Sequence, residues 1–338
     1  MKNNIVIIGG GPAGMEASAR LSSAGYNVFI VERSDVLGGH LARWDRLFPS
    51  GEQASKLLHK LYKGTTDSKV FTETEVLAIN KLGKSFNVKM TGGISIMADA
   101  VLMSTGFDLF DARKKEEYGY GIYDHVITNA DLEDYFRTEN DDRVGKPARV
   151  GLVHCVGSRD EKAGCRNCSK VCCATAVKQA CEIKQKWPRA EVYCFYMDLR
   201  MFGRGYEDLY LKAQKEYGVR FIRGRVSEVS EKIDKTLQVK AEDTLSSTPL
   251  KVTLDLLVLM AGMRPSQEGT KVGNMLKLPL GDDGFFAPSD GFEGMQSSSI
   301  PGLFFAGAAT GPKNLPDTLA EARSAAMLID EYIREAKL

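Results

Sequence analysis

Ile5-Val6-Ile7-Ile8-Gly9-Gly10-Gly11-Pro12-Ala13-Gly14-Met15 is the stretch on which the fold turns. The apolar run 5–8 predicts a short buried strand. The glycines follow it directly, and Met15, Ala19 and Leu21 then suggest a helix closing at Gly25. A second apolar run, 28–31, ends at Glu32 and completes a strand–helix–strand unit within 32 residues. In that setting Gly9-x-Gly11-x-x-Gly14 reads as a dinucleotide fingerprint. Its glycines allow a tight turn, close backbone approach to a pyrophosphate, and tight packing of helix on strand. The free N–H groups and dipole of the helix N-terminus would hold the phosphates. Glu32 is placed to accept hydrogen bonds from a ribose. Alone the glycine pattern is equally a structural turn; the flanking elements select the dinucleotide reading.

Outward from this unit, residues 51–62 predict an amphipathic helix, and residues 70–104 several strands with turns at Gly83 and Thr91-Gly92-Gly93. A second α/β pattern follows: strand 149–155, helix 169–186 stopped by Trp187-Pro188, strand 191–196, helix 206–217, strand 219–222, and a strand at 255–260. The last strand, 302–306, runs through Gly307-Ala308-Ala309-Thr310-Gly311-Pro312 into a terminal helix over 316–334. The fold class expected is α/β, with two Rossmann-like dinucleotide-binding domains. Residues 1–125 plus 264–338 are assigned to an FAD-binding domain and 126–263 to a second domain. FAD is preferred over NAD because Gly38-Gly39 and the glycine-rich turn 307–318 suit a long extended cofactor. The residues expected to line it are Gly9, Gly11, Pro12, Ala13 and Gly14; Glu32, Arg33, Gly38, Gly39, His40 and Leu41; Val76, Thr105 and Gly106; and Gly307, Ala308, Lys313, Pro316, Asp317 and Thr318. Lys313 and the helix start near Asp317-Thr318 are the candidates for stabilising negative charge on a reduced flavin. A solvated loop lysine is the bland reading of Lys313.

The 338 residues, 43% of them hydrophobic, suffice for two modest cores. With 45 Lys plus Arg against 44 Asp plus Glu, the net charge of +1 argues against nucleic acid as a partner. No apolar run is long enough for a membrane span, and no signal-peptide pattern opens the chain, so a cytoplasmic protein is expected.

Six of seven cysteines fall between Cys155 and Cys181. Where a nicotinamide-binding loop should follow the strand at 149–155, the chain has Cys155-Val156-Gly157-Ser158-Arg159-Asp160 and then Cys165, Cys168, Cys172 and Cys173. Thiolates are soft ligands, and four of them hold a cubane cluster. Cys168 and Cys172 are one helical turn apart, Cys173 is adjacent, and Cys155 sits at a strand end. Cys165-x-x-Cys168 is alternatively a redox disulfide able to exchange electrons with flavin, and buried inert thiols are the bland reading. Zinc is disfavoured beside a flavin. The four histidines read as packing or hydrogen-bonding residues, and Cys181 and Cys194 as core.

The stretches 104–111, 117–121, His154-Cys155-Val156-Gly157-Ser158-Arg159-Asp160, Cys168-Ser169-Lys170-Val171-Cys172-Cys173, Phe202-Gly203-Arg204-Gly205-Tyr206 and Gly311-Pro312-Lys313-Asn314-Leu315-Pro316-Asp317-Thr318 together resemble the A subunit of heterodisulfide reductase. The resemblance runs over essentially the whole chain. It implies a thioredoxin-reductase-like fold, FAD, and a [4Fe–4S] cluster on Cys155, Cys168, Cys172 and Cys173, with Cys165 an extra thiol. The length is similar to that of the short flavoprotein of the heterodisulfide-reductase-like complex of sulfur-oxidising bacteria, which implies a role in electron transfer in sulfur metabolism. The partners implied are other iron–sulfur subunits and a lipoate-carrying protein; a homodimer is the symmetry prior. The usual Gly-Asp of related flavoproteins is Gly307-Ala308 here, so one carboxylate contact is missing. Two other readings stay open: an NAD(P)H-dependent disulfide reductase using Cys165 and Cys168, and a non-redox assembly subunit.

Overall fold

The computed structural model describes residues 2–292 and 294–336. The chain divides into two compact units, Met1–Ala42 with Ala54–Asp108 and Arg264–Leu338, and Arg43–Gln53 with Leu109–Met263.

In the first unit, Asn4–Ile8 is the central strand of a five-stranded sheet. It pairs in parallel with Asn27–Val31 on one side and Ala100–Met103 on the other, and Lys69–Phe71 and Leu303–Phe305 complete the edges, also in parallel. Ile5, Val6 and Ile7 are wholly buried, as an uninterrupted apolar run in a parallel sheet requires, since helices cover both faces. Helix Pro12–Ser23 begins at Gly11 and ends where Gly25 takes a φ of 94°. The terminal helix Leu315–Glu335 packs against it, burying Ala322, Ala325, Ala326, Ile329 and Ile333. Three antiparallel strands, Val76–Leu82, Ser85–Met90 and Ser95–Ala98, close the core around Phe86 and Val88.

The second unit repeats this plan. Arg149–Val156 is central in a five-stranded parallel sheet between Glu191–Tyr196 and Leu256–Ala261, with Arg220–Arg223 and Val126–Thr128 at the edges. A three-stranded meander, Val226–Glu231, Leu237–Asp243 and Thr248–Leu254, precedes Leu256–Ala261 as the first meander precedes Ala100–Met103. The unit therefore has the same doubly wound logic, in which ligands gather at the carboxyl ends of the central strands.

Three expectations need correction. The division lies at 108/109 instead of 125/126, because Phe110, Ala112 and Val126 are buried in the second core. Residues 43–53 belong to the second unit, not the first: Lys178 Nζ donates to the Arg46 carbonyl and the Asp45 N–H donates to Glu133 Oε2. The helix expected from Ser169 starts at Cys172, because Lys170 sits at a φ of 62° and breaks the helical path. Helices Asn129–Thr138, opened by a capping box on Thr128 and Asp131, and Gln267–Met275, capped by Ser266, were not anticipated. Among the described residues no helix is long and apolar enough to cross a membrane.

Candidate functional site

The first unit presents a cradle of glycines. Gly9 has a φ of 105°, and a Cβ on it would lie 2.4 Å from the Ser104 carbonyl oxygen. A Cβ on Gly14 would lie 2.1 Å from the Gly9 carbonyl oxygen, so only glycine lets the helix start this close to the strand. Gly11, by contrast, faces open space. It caps helix Pro12–Ser23 without a side chain, Pro12 has no N–H, and the first turn carries no carboxylate. The positive end of the helix is thus left for an anion. Gly38 lies against this loop, its N–H donating to the Gly10 carbonyl at 2.8 Å, and Gly39 approaches Gly11.

Glu32 is buried at the end of its strand. Its Oε2 accepts the Gly10 N–H at 2.7 Å and its Oε1 the Ser34 N–H at 2.8 Å. The carboxylate therefore braces the loop, and each oxygen keeps a second lone pair for a ribose hydroxyl. Gly307, with a φ of 70°, brings the C-terminal glycine turn to the same place: a Cβ there would meet Ala13 at 2.9 Å and Thr318 at 3.2 Å. Ala308 is buried beside it, and Gly106 takes a φ of 67°. The Thr105 hydroxyl is buried with no hydrogen-bond partner, an orphan of the kind a bound ligand satisfies. His40 stacks on Phe107 at 4.3 Å and hydrogen-bonds its carbonyl, Leu41 is buried in the turn Gly39–Arg43, and Arg33 lies 3.9 Å from Asp108. Val76 is committed to the core around Phe86, where the bulge beside it leaves its backbone the group to consider.

Lys313 is engaged rather than waiting for a flavin. Its ammonium donates to Thr310 Oγ1 at 2.8 Å and sits 3.4 Å from Glu321. Glu321 in turn accepts the Gly307 N–H, and burial pushes its carboxyl up despite the opposing Lys313. Sequence reading missed Glu321; its place one turn after Pro316-Asp317-Thr318, facing a glycine turn, is the signal that would have found it. At the same helix start Asn314 accepts the Asp317 N–H, and Asp317 places a carboxylate in the first turn. The anion-stabilising role expected of this terminus is therefore largely taken by the chain itself.

The second unit carries the thiols. Strand Arg149–Val156 is bulged near its end, where Cys155 adopts a φ of 58°. Arg159 and Lys170 are also left-handed, at 54° and 62°. Non-glycine residues at positive φ cost about 1–3 kcal/mol each and persist where surrounding structure enforces them, which is typical of functional sites. This turn, not a shared helical face, brings Cys168 to Cys172 and Cys173, which open helix Cys172–Lys186 with no side-chain cap. Burial, with Cys173 and Cys168 adding to it and Arg159 opposing, raises the Cys155 thiol to about 11. Burial, then Cys155, Cys173 and Cys168, push Cys172 well up. Burial also raises Cys173, with Cys168 adding to it and an Arg200 backbone N–H opposing. Cys155, Cys168, Cys172 and Cys173 are thus one electrostatic group. Cys165 stands outside it, its thiol 3.6 Å from the Asn167 carbonyl. The Lys170 N–H donates to Cys168 Sγ at 3.3 Å. His154 is fully enclosed with both ring nitrogens unpartnered, and burial lowers it to about 4, so it is neutral. Cys181 and Cys194 are core residues. Among the described residues no three His, Cys, Asp or Glu side chains are placed to hold a single metal ion.

The architecture is that of the thioredoxin-reductase-like oxidoreductases. The T. acidophilum thioredoxin reductase matches with a TM-score of 0.69 at 18% identity over 99% of this chain and all of that one. The Lactococcus lactis thioredoxin reductase in its FR conformation matches at 0.71 and 18%, over the same shares. The family model for pyridine nucleotide-disulphide oxidoreductases matches residues 1–142. Together these support FAD as a cofactor of the chain.

Relatives at higher identity narrow the class. The iron-sulfur A subunit of the CoB–CoM heterodisulfide reductase of Methanocaldococcus jannaschii is 32% identical over 415 aligned residues, covering 96% of this chain and 63% of that protein. The A subunit of the H(2)/formate:CoB-CoM heterodisulfide,ferredoxin reductase of Methanococcus maripaludis is 42% identical over 245 residues, covering 70% and 37%. The chain belongs to the A-subunit family of heterodisulfide reductases. It spans less than two thirds of these relatives. The first alignment is longer than the chain, so that relative carries residues between aligned segments that this chain lacks.

Proposed function

We propose that this chain is an electron-transfer subunit of a heterodisulfide-reductase-like complex in sulfur metabolism, holding FAD in its first unit and a [4Fe–4S] cluster on Cys155, Cys168, Cys172 and Cys173. The observation that carries the reading is the electrostatic grouping of those four thiols, with Cys165 apart. When bound, FAD supplies two-electron chemistry and a cubane cluster one-electron exchange, so together they couple paired to single electron transfer.

The residues have defined tasks. Gly9, Gly11, Pro12, Ala13 and Gly14 present the helix end to the pyrophosphate, while Glu32 receives the ribose and Gly38 and Gly39 let the cofactor pass close to the backbone. Thr105, Gly106, Gly307 and Ala308 border it further on, and the Lys313–Glu321 pair braces the glycine turn through the Gly307 N–H. The start of helix Cys172–Lys186 carries no side-chain cap and the Lys170 N–H reaches Cys168 Sγ; because burial raises Cys155, Cys172 and Cys173, loading a cluster would release their protons. Other iron–sulfur subunits, and a lipoate-carrying protein as sulfur donor, are the partners of this reading; a homodimer is its simplest assembly.

Protein purified without oxygen should contain about four irons and four acid-labile sulfides with one FAD per chain. Cys168→Ala should lose the iron and keep the flavin, and Cys165→Ala should keep both. FAD without iron, with two thiols appearing on reduction, would overturn the cluster and leave a Cys165–Cys168 disulfide reductase in its place. A colourless folded protein would leave only the assembly role.

A further inference from the structure

We propose that the cysteine-bearing face of the second unit is a docking surface for an acidic-faced iron–sulfur protein, seated by a collar of arginines around an exposed phenylalanine. The inference deepens the reading above, since Cys155 meets Arg159 and Cys173 meets the Asp198 carbonyl within these segments.

Three segments build the face: 159–170, 197–205 and 223–225. They are held together by contacts around the thiols. Arg159 pairs with Asp198 at 2.7 Å, and Arg223 lies 3.8 Å from the same carboxylate. Arg225 donates to the Arg159 carbonyl at 3.0 Å, and Cys173 Sγ lies 3.6 Å from the Asp198 carbonyl. These segments contain eight Arg and Lys against three carboxylates, in a chain whose net charge is +1, so the rest of the molecule is net negative. The carboxylates are themselves matched: Asp160 by Lys115 at 2.8 Å, Glu161 by Arg166 at 3.2 Å, and Asp198 by Arg159.

A solvated charged face is the bland explanation of such a cluster. Two features argue against it. Six of the eight cations are arginine, whereas lysine outnumbers arginine over the whole chain, and interfaces enrich arginine, methionine and aromatics while depleting lysine. Phe202, between Arg200 and Arg204, is 61% exposed, an aromatic anchor of the kind that carries binding energy when covered. Positive potential over a small footprint suits the steered, transient encounters of electron carriers, which bury less than about 1,200 Å² and weaken with salt. The occupant is therefore a protein with an acidic face.

The test uses the anaerobically purified holoprotein, with an acidic bacterial ferredoxin as probe and basic cytochrome c as control, binding being read by surface plasmon resonance. Ferredoxin should bind, with affinity falling about tenfold or more between roughly 0.02 and 0.3 M salt, and cytochrome c should not. The R166E/R204E double variant should weaken ferredoxin about tenfold at low salt, and Phe202→Ala should weaken it at every salt concentration, with iron, sulfide and flavin contents unchanged. Ferredoxin binding no tighter than cytochrome c, or indifferent to R166E/R204E, overturns the proposal. So does NADPH binding that is lost in the double variant, which would assign the arginines to a nucleotide phosphate. Iron content on the same samples separates the two claims: iron-loaded protein that ignores ferredoxin sinks the docking surface alone, and iron-free protein that still binds it sinks the cluster alone.

Discussion

Gly14 and Gly157 hold the two candidate sites to their shapes by different means. At Gly14 the constraint is contact: a methyl group would press on the Gly9 carbonyl and on Ser104 Oγ. Gly14→Ala should therefore cost about 1–3 kcal/mol through overpacking and release flavin, checked by the flavin-to-protein absorbance ratio and a urea midpoint. Gly157 combines a φ of 74° with a Cβ position 2.0 Å from the Phe110 ring, so strain and clash add. Gly157→Ala should destabilise the second unit by at least as much and lower iron retention while leaving flavin in place. Flavin that leaves with the iron would show that the two sites are not independently held.

Helix Cys172–Lys186 joins the thiols to a buried charge cluster at the scale of elements. Lys178, Glu133 and Glu182 are each less than 9% exposed. Lys178 donates to Glu133 and lies 3.2 Å from Glu182, which is out of line for a hydrogen bond. Gln179 adds a bond to Glu133. Burial raises the Glu182 carboxyl to about 8, with Lys178 opposing and Glu133 reinforcing. A carboxyl raised on folding is protonated in the native state and ionised in the unfolded one between the two pKa values. Folding then takes up a proton, and the associated stability is full below about 4.5 and is lost as pH rises toward about 8. Glu182→Gln should flatten the fall in urea midpoint between pH 5 and 8; an unchanged slope would place the proton elsewhere. Lys178→Met leaves the buried Glu133 carboxylate without its cation, beside the protonated Glu182, and should cost about 3–5 kcal/mol, read from the same denaturation curves.

These elements also show what sequence could and could not convey. The run from Ile5 to Gly14 was legible because a buried parallel strand, a tight turn and a helix start each demand particular residue types in order. Helices 172–186 and 315–335 were legible from apolar spacing and from Pro188 and Pro316. Helix Asn129–Thr138 was not: it has few apolar residues, and its decisive signal is the Thr128–Asp131 capping box. Cys168 and Cys172 were placed together for the wrong reason, since four-residue spacing mimics a helical face where a left-handed Lys170 makes a turn. Glu321 was missed because its partner, the Gly307 N–H, is a backbone group fourteen residues away, and only its place one turn after Asp317 pointed to it.

The whole molecule repeats one plan, a parallel sheet with a three-stranded meander leading into a strand beside the central one, but only the first copy keeps the glycine cradle. Ligand that binds only the native first unit should stabilise it by about 2.7 kcal/mol at a hundredfold excess over Kd. FAD added to apoprotein should therefore slow hydrogen exchange in Asn4–Ile8, Asn27–Val31 and Leu315–Glu335 more than in Arg149–Val156 and Glu191–Tyr196. Equal protection in both sets would show that the units open as one.

Residues 43–53 give the chain an order in time. Arg46 lies 132 residues ahead of Lys178, its partner, and ribosomes add roughly 5–20 residues per second. For roughly 7–26 seconds this segment emerges without its bond to Lys178, while the glycine loop before it also waits for Leu303–Phe305 and the helix Leu315–Glu335. The cradle is thus completed after the thiol-bearing unit, and a nascent chain cannot capture its cofactor until that unit has already been made.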